Sequence, residues 1–166
     1  MHLTIAAALA VVAALAEFTV APYLEIGDAV PHPVLVFGVI CCLAGGFEVG
    51  LTWAFVGGLA LDILGQRPLG SSAFSLLFAI GAASLIGSAL SRVRIVAPVI
   101  ATFVASLVYS MLLLIATTAL TTAALSQAAL GTVLPSAVYD MVLAAVAGPL
   151  VIAIVVRRRE AERVEW

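Results

Sequence analysis

Three carboxylates stand inside otherwise apolar stretches, Glu17, Asp62 and Asp140, and a fourth, Glu48, sits beside a Gly45-Gly46 break. In hydrocarbon such a group costs roughly 2.5 to 3.5 kcal/mol at midplane unless paired or solvated, so these are the first residues to examine for function. Carboxylates alone do not make a catalyst. Acyl or peptide chemistry inside a membrane needs a Ser-His pair, a paired-Asp signature or an in-membrane His cluster, and none is written here. His2 is terminal, His32 lies between prolines, and neither has a partner at metal-ligand spacing. No glycine-rich phosphate cradle follows a strand. The pattern points to no enzyme, no cofactor and no metal.

The elements that must position these residues are membrane helices. Of 166 residues 64% are hydrophobic and 10% charged, with a mean hydropathy of +1.28; a soluble domain carries roughly 45 to 50% apolar and about 25% charged residues. At about 20 apolar residues per crossing, the length admits about five to seven crossings and no separate soluble domain. The formal charge is −2, all seven basic residues are arginines, and no basic face stands outside the carboxyl-terminal segment, so nucleic acid is excluded as a partner. Cys41 and Cys42 are adjacent within an apolar run, a placement that fits two buried thiols and not a disulfide framework.

Periodicity and punctuation predict an all-α bundle of six transmembrane helices in one domain, over residues 3–24, 33–47, 49–65, 73–91, 95–118 and 132–156, with a basic tail over 157–166. The apolar stretch 33–65 is too long for one helix, and its break is expected near Glu48. Pro98 and Pro135 fall in first turns, where proline is tolerated, and Pro149 is expected to kink the last helix. Arg92, Arg94, Arg157, Arg158, Arg159 and Arg163 flank short segments, which places them in the cytoplasm and leaves Arg67 outside. Both termini are then cytoplasmic in a multi-pass cell-membrane protein. A single broken span over 33–65 would give five crossings with the same arginine sides and an external amino terminus. The segment 119–131 reads as a lipid-skimming external helix or as frayed ends of the flanking spans.

Counted inward from these ends, Glu17, Asp62 and Asp140 all fall in the outer half of the bundle together with Arg67, and Tyr109 joins their outer polar group. They form either an interhelical network or a polar pocket opening outward. Small residues recur every four positions at Gly46, Gly50, Ala54 and Gly58 and lead to Asp62; Ala6, Ala10 and Ala14 make a similar row. Such rows let backbones approach closely, within the bundle or against another membrane protein.

The stretch from Gly50 to Gly70, with Gly58, Asp62, Leu69 and Gly70 in register, resembles the signature of the bacterial rod-shape-determining MreD family: a glycine-bearing helix, a leucine-rich step to an aspartate, and a short polar loop closing on Leu-Gly. His32-Pro33-Val34-Leu35-Val36 looks like the start of that family's second helix. Val133 to Asp140, followed by Ala147-Gly148-Pro149-Leu150 and arginines, looks like its last; Asp140 stands where an asparagine is common. The resemblance implies a fold similar to the S component of energy-coupling-factor (ECF) transporters. It also implies a non-enzymatic scaffold that binds the single-pass protein MreC and links MreB filaments to RodA and its transpeptidase in peptidoglycan synthesis. Within that reading Gly46, Gly50, Ala54, Gly58, Asp62, Arg67, Pro68, Leu69 and Gly70 shape a partner or packing face. The alternative is a vitamin-binding S component proper, using the outer group Glu17, Asp62, Tyr109 and Asp140, with Tyr109, Tyr139 and Trp53 as aromatic lids.

Overall fold

A computed structural model describes residues 3–25, 27, 29–90, 96–117 and 129–163, with side chains left undescribed at 117, 129, 130 and beyond 151. Helix α1 (Leu3–Val20) ends in a 3-10 turn at Ala21–Tyr23. After an extended connector come α2 (Pro33–Gly45), α3 (Phe47–Leu64), α4 (Ser71–Ala89) and α5 (Ala97–Thr117). A π-helical turn (Ala129–Val133) then leads into α6 (Leu134–Arg163). The expected all-α membrane bundle is present. Among the described residues five helices are long and apolar enough to cross a membrane, and α2 is a shorter apolar helix. Arg92, Arg94 and most of the segment 119–131 lie outside the described residues.

The shortest helix occupies the centre. At about 1.5 Å per residue, the 13 residues of α2 span about 20 Å of a roughly 30 Å core. Yet α2 packs against all five other described helices, and eight of its residues are buried. A helix enclosed by protein need not match the thickness of the lipid around it, because neighbouring side chains can meet its ends. Splitting 33–65 into two helices is therefore correct, and the break falls at Gly46, two residues before the expected Glu48. Gly46 holds φ +107° and ψ 164°, a conformation open only to glycine. Glu48 instead lies exposed in the first turn of α3, where a carboxylate favours the positive end of the helix dipole.

The basic residues expected in a tail are part of α6, which runs unbroken past Pro149 to Arg163. Pro149 follows Gly148, and Pro98 and Pro135 lie in the first turns of α5 and α6.

Packing is inverted relative to a soluble core. Small side chains point inward: Ala6, Ala10 and Ala14 of α1, Ala54 of α3, and Ala101 and Ala105 of α5 are wholly buried. Ile63, Leu85, Val146 and Leu150 stand exposed on the outside. Lipid tails are as apolar as leucine, so burying large apolar side chains gains little, and close backbone approach through small residues takes over. Gly58 marks the tightest approach. A Cβ there would sit inside van der Waals contact of the Ala73 backbone on α4, and one at Gly50 would press on Cys42 of α2. Both cysteines are free and buried.

Gly58→Leu must push α3 and α4 apart, and overpacking of this kind costs about 3 kcal/mol. The midpoint of thermal unfolding in detergent should fall well below wild type. An unchanged midpoint would contradict the close crossing.

Candidate functional site

A helix that begins inside a bundle leaves its first N–H groups without water to receive them. Helix α2 begins this way, since Ala29 and Pro31 ahead of it are buried. Pro33 at its first position removes one donor. The Val34 N–H donates to Glu17 Oε2 at 2.7 Å, and the His32 N–H donates to Asp140 Oδ1 at 2.8 Å. Further out, the Val30 N–H donates to Ser136 Oγ at 3.0 Å. Glu17 reaches over from the end of α1, and Ser136 and Asp140 from the first turns of α6. Two carboxylates from separate helices thus satisfy the start of a third. Negative charge at a helix amino terminus is also favoured by the dipole.

His32 joins the same group. Its Nδ1 lies 2.9 Å from Asp140 Oδ2, and Ser106 Oγ of α5 donates to that same oxygen at 2.6 Å. An ionised carboxylate only accepts, so Nδ1 carries the proton. Burial alone would push the imidazole down, but the Asp140 carboxylate, aided by Glu17, outweighs it and holds the His32 pKa above the ordinary histidine value. Tyr109 meets the ring edge-on, with centroids 5.2 Å apart and planes at 75°.

Asp62, fully buried at the end of α3, does for α4 what Glu17 does for α2. Its Oδ2 accepts from the Gly70 N–H at 2.8 Å, while Oδ1 accepts from the Ser72 N–H at 2.8 Å and from Ser71 Oγ at 3.0 Å. Its own carbonyl accepts from the Arg67 N–H at 3.0 Å. Gly70, the residue before α4, is left-handed at φ +97°. The Asp62 to Leu69-Gly70 spacing therefore has a physical meaning: the aspartate closes one helix and caps the next, across a loop that turns on glycine.

Glu17, Tyr109 and Asp140 come together around His32. Asp62 lies at the same end of the bundle but shares no hydrogen-bond partner with them. Of the small-residue rows, Gly50, Ala54 and Gly58 pack inside the bundle, as do Ala6, Ala10 and Ala14; Gly46 is an exposed turn. Arg67, Pro68 and Leu69 are exposed at the rim and Gly70 is half-buried. Trp53 is a core residue whose Nε1 donates to the Val34 carbonyl at 2.9 Å; it is not a lid.

Sequence spacing missed His32, Ser106 and Ser136, whose partners lie as much as 108 positions away in the chain. Pro-His-Pro at a helix start was the available signal. Glu17, His32, Leu61, Arg67 and Tyr109 also border a cleft of about 380 Å³.

Fold and site together define a multi-pass helical membrane protein whose buried acids hold the starts of its helices. The family model for rod shape-determining protein MreD matches residues 1–157, and the chain belongs to that family, with a role in rod-shape determination. No curated protein and no solved structure gives a significant match.

Asp62→Ala removes the acceptor for two backbone N–H groups and a hydroxyl and should cost about 2 to 4 kcal/mol; Asp62→Asn keeps one acceptor oxygen and should cost about half as much. Denaturant unfolding in detergent measures both, and equal losses would refute the capping role. Asp140→Ala should cost about 3 kcal/mol, whereas Asp140→Asn, still an acceptor for the His32 N–H, should cost about 1 kcal/mol. The raised His32 pKa makes the pair's contribution complete below the ordinary histidine pKa of about 6.5, and it is lost as pH rises through the higher folded value. Asp140→Asn should flatten that dependence, measured as unfolding midpoint against pH; a slope identical to wild type would exclude the ion pair.

Proposed function

We propose that this protein is a non-enzymatic adaptor of the cell-elongation machinery in the bacterial inner membrane. It binds MreC and helps couple MreB filaments to RodA and its transpeptidase during peptidoglycan synthesis, with both termini cytoplasmic. The observation that carries the reading is the family match over residues 1–157. The geometry supports it, because among the described residues each buried carboxylate is engaged with a helix start, as a rigid docking body requires.

Within this reading the partner face is the rim loop. Leu69 is 74% exposed, flanked by exposed Arg67 and Pro68, and the loop is fixed from beneath by Asp62. The row from Gly46 through Gly50, Ala54 and Gly58 acts from inside by setting where that loop stands.

Leu69→Asp, at a largely exposed side chain, should lower recovery of co-expressed MreC by about tenfold, as loss of an apolar anchor does, with the unfolding midpoint unchanged. Full recovery of MreC with Leu69→Asp would remove the loop from the interface, and failure of the wild-type protein to retain MreC would sink the adaptor reading.

A further inference from the structure

Four polar groups at the cleft have bonding capacity that no described residue fills, and one of them is the exposed carboxylate of Glu25. Glu17 is 9% exposed and spends Oε2 on the Val34 N–H. Its Oε1 has no hydrogen-bond partner, yet it is not among the sealed, unsatisfied buried atoms, so it opens into the cleft that Glu17 lines. His32 spends Nδ1 on Asp140, which leaves Nε2 free on the ring edge of a residue that also lines the cleft. Arg67 lines the cleft and is exposed at its mouth, and among the described residues its guanidinium has no ion pair within 4.0 Å. Phe18, Leu61 and Leu113 complete the walls with apolar surface.

A simple anion would satisfy Arg67 but would face the Glu17 and Glu25 carboxylates. A simple cation would satisfy Glu17 and Glu25 but would meet Arg67 at the entrance. The set is matched by a molecule carrying both charges a few bonds apart, and a volume of about 380 Å³ lies within the range of small-ligand sites. We propose that this cleft binds a phosphoethanolamine zwitterion, its ammonium on Glu17 Oε1 and its phosphate on Arg67. The chemistry is the same whether the group belongs to a phosphatidylethanolamine headgroup or to a soluble phosphoethanolamine ester. The inference does not rest on the adaptor reading, because its readout is ligand retention and not partner capture.

The test is native mass spectrometry of the full-length protein released from nanodiscs containing equal amounts of phosphatidylethanolamine and phosphatidylglycerol. Wild type should retain phosphatidylethanolamine about tenfold over phosphatidylglycerol, the worth of one charge-assisted contact, and Arg67→Gln and Glu17→Gln should each abolish the preference. Glu17→Gln keeps an acceptor for Val34, and Arg67 is exposed, so at least the latter variant folds. Glu48→Gln, at the opposite end, should behave as wild type. Displacement of the lipid by soluble glycerophosphoethanolamine would show that the headgroup alone is recognised; retention against it would assign the site to the membrane lipid. Equal retention of the two lipids, or a preference unchanged in Arg67→Gln, would overturn the proposal.

Discussion

The bundle depends on how the amino terminus of α2 is satisfied. This helix is central and short, and the chain reaches it through a non-helical segment enclosed by protein. Non-helical backbone is tolerated at membrane depth only where protein or a polar cavity supplies its hydrogen bonds. Glu17 and Asp140 supply them here from the first and last helices of the chain, at 2.7 and 2.8 Å. Those two bonds tie α1, α2 and α6 into one end of the molecule. They also account for carboxylates in a lipid environment: the cost of each charge is offset by backbone donors that would otherwise be unpaired, and by the dipole of the helix they start.

The same solution recurs at the α3–α4 corner. Asp62 ends one helix and starts the next, while Gly58, one turn earlier, lets the two backbones touch. The two devices depend on each other. Without the close crossing at Gly58, the start of α4 would stand too far from Asp62 for a 2.8 Å bond to the Ser72 N–H. Without the cap, the first donors of α4 would oppose the crossing. The loop between them is short, turns at Gly70, and carries Arg67, Pro68 and Leu69 outward.

Legibility in the sequence followed the range of the interaction. Composition pointed to the lipid environment because it is summed over many residues, whereas arginine placement left five and six crossings equally open. Residues 33–65 split correctly because Gly45-Gly46 is a local signal, although the break itself lies at Gly46, where the backbone needs positive φ, and not at the charged Glu48. That Glu17, Asp62 and Asp140 lie at similar depths was readable from their places in their own helices. What each carboxylate binds was not, since the partners of Glu17 and Asp140 are backbone N–H groups, which every residue type but proline carries. His32 looked isolated for the same reason, its partner being a residue of the last helix. The small-residue rows showed that close packing would occur but not against what; the Ala6 and Gly50 rows alike turn out to face inward.

Arg67 belongs to two settings at once. It is part of the rim loop fixed by Asp62, and it also stands at the mouth of the cleft whose floor is Glu17. The structure links these settings through short covalent and hydrogen-bonded steps: Asp62 receives the Arg67 N–H at 3.0 Å, and the cleft wall at Leu61 is the residue before Asp62. A ligand that engages the guanidinium in the cleft changes what that side chain offers to a partner at the rim, and by linkage a partner that draws it outward changes the cleft's affinity by the same factor. Such coupling needs no rearrangement of the bundle. It requires only that a single exposed side chain, anchored through its backbone to a buried aspartate, can serve one site or the other.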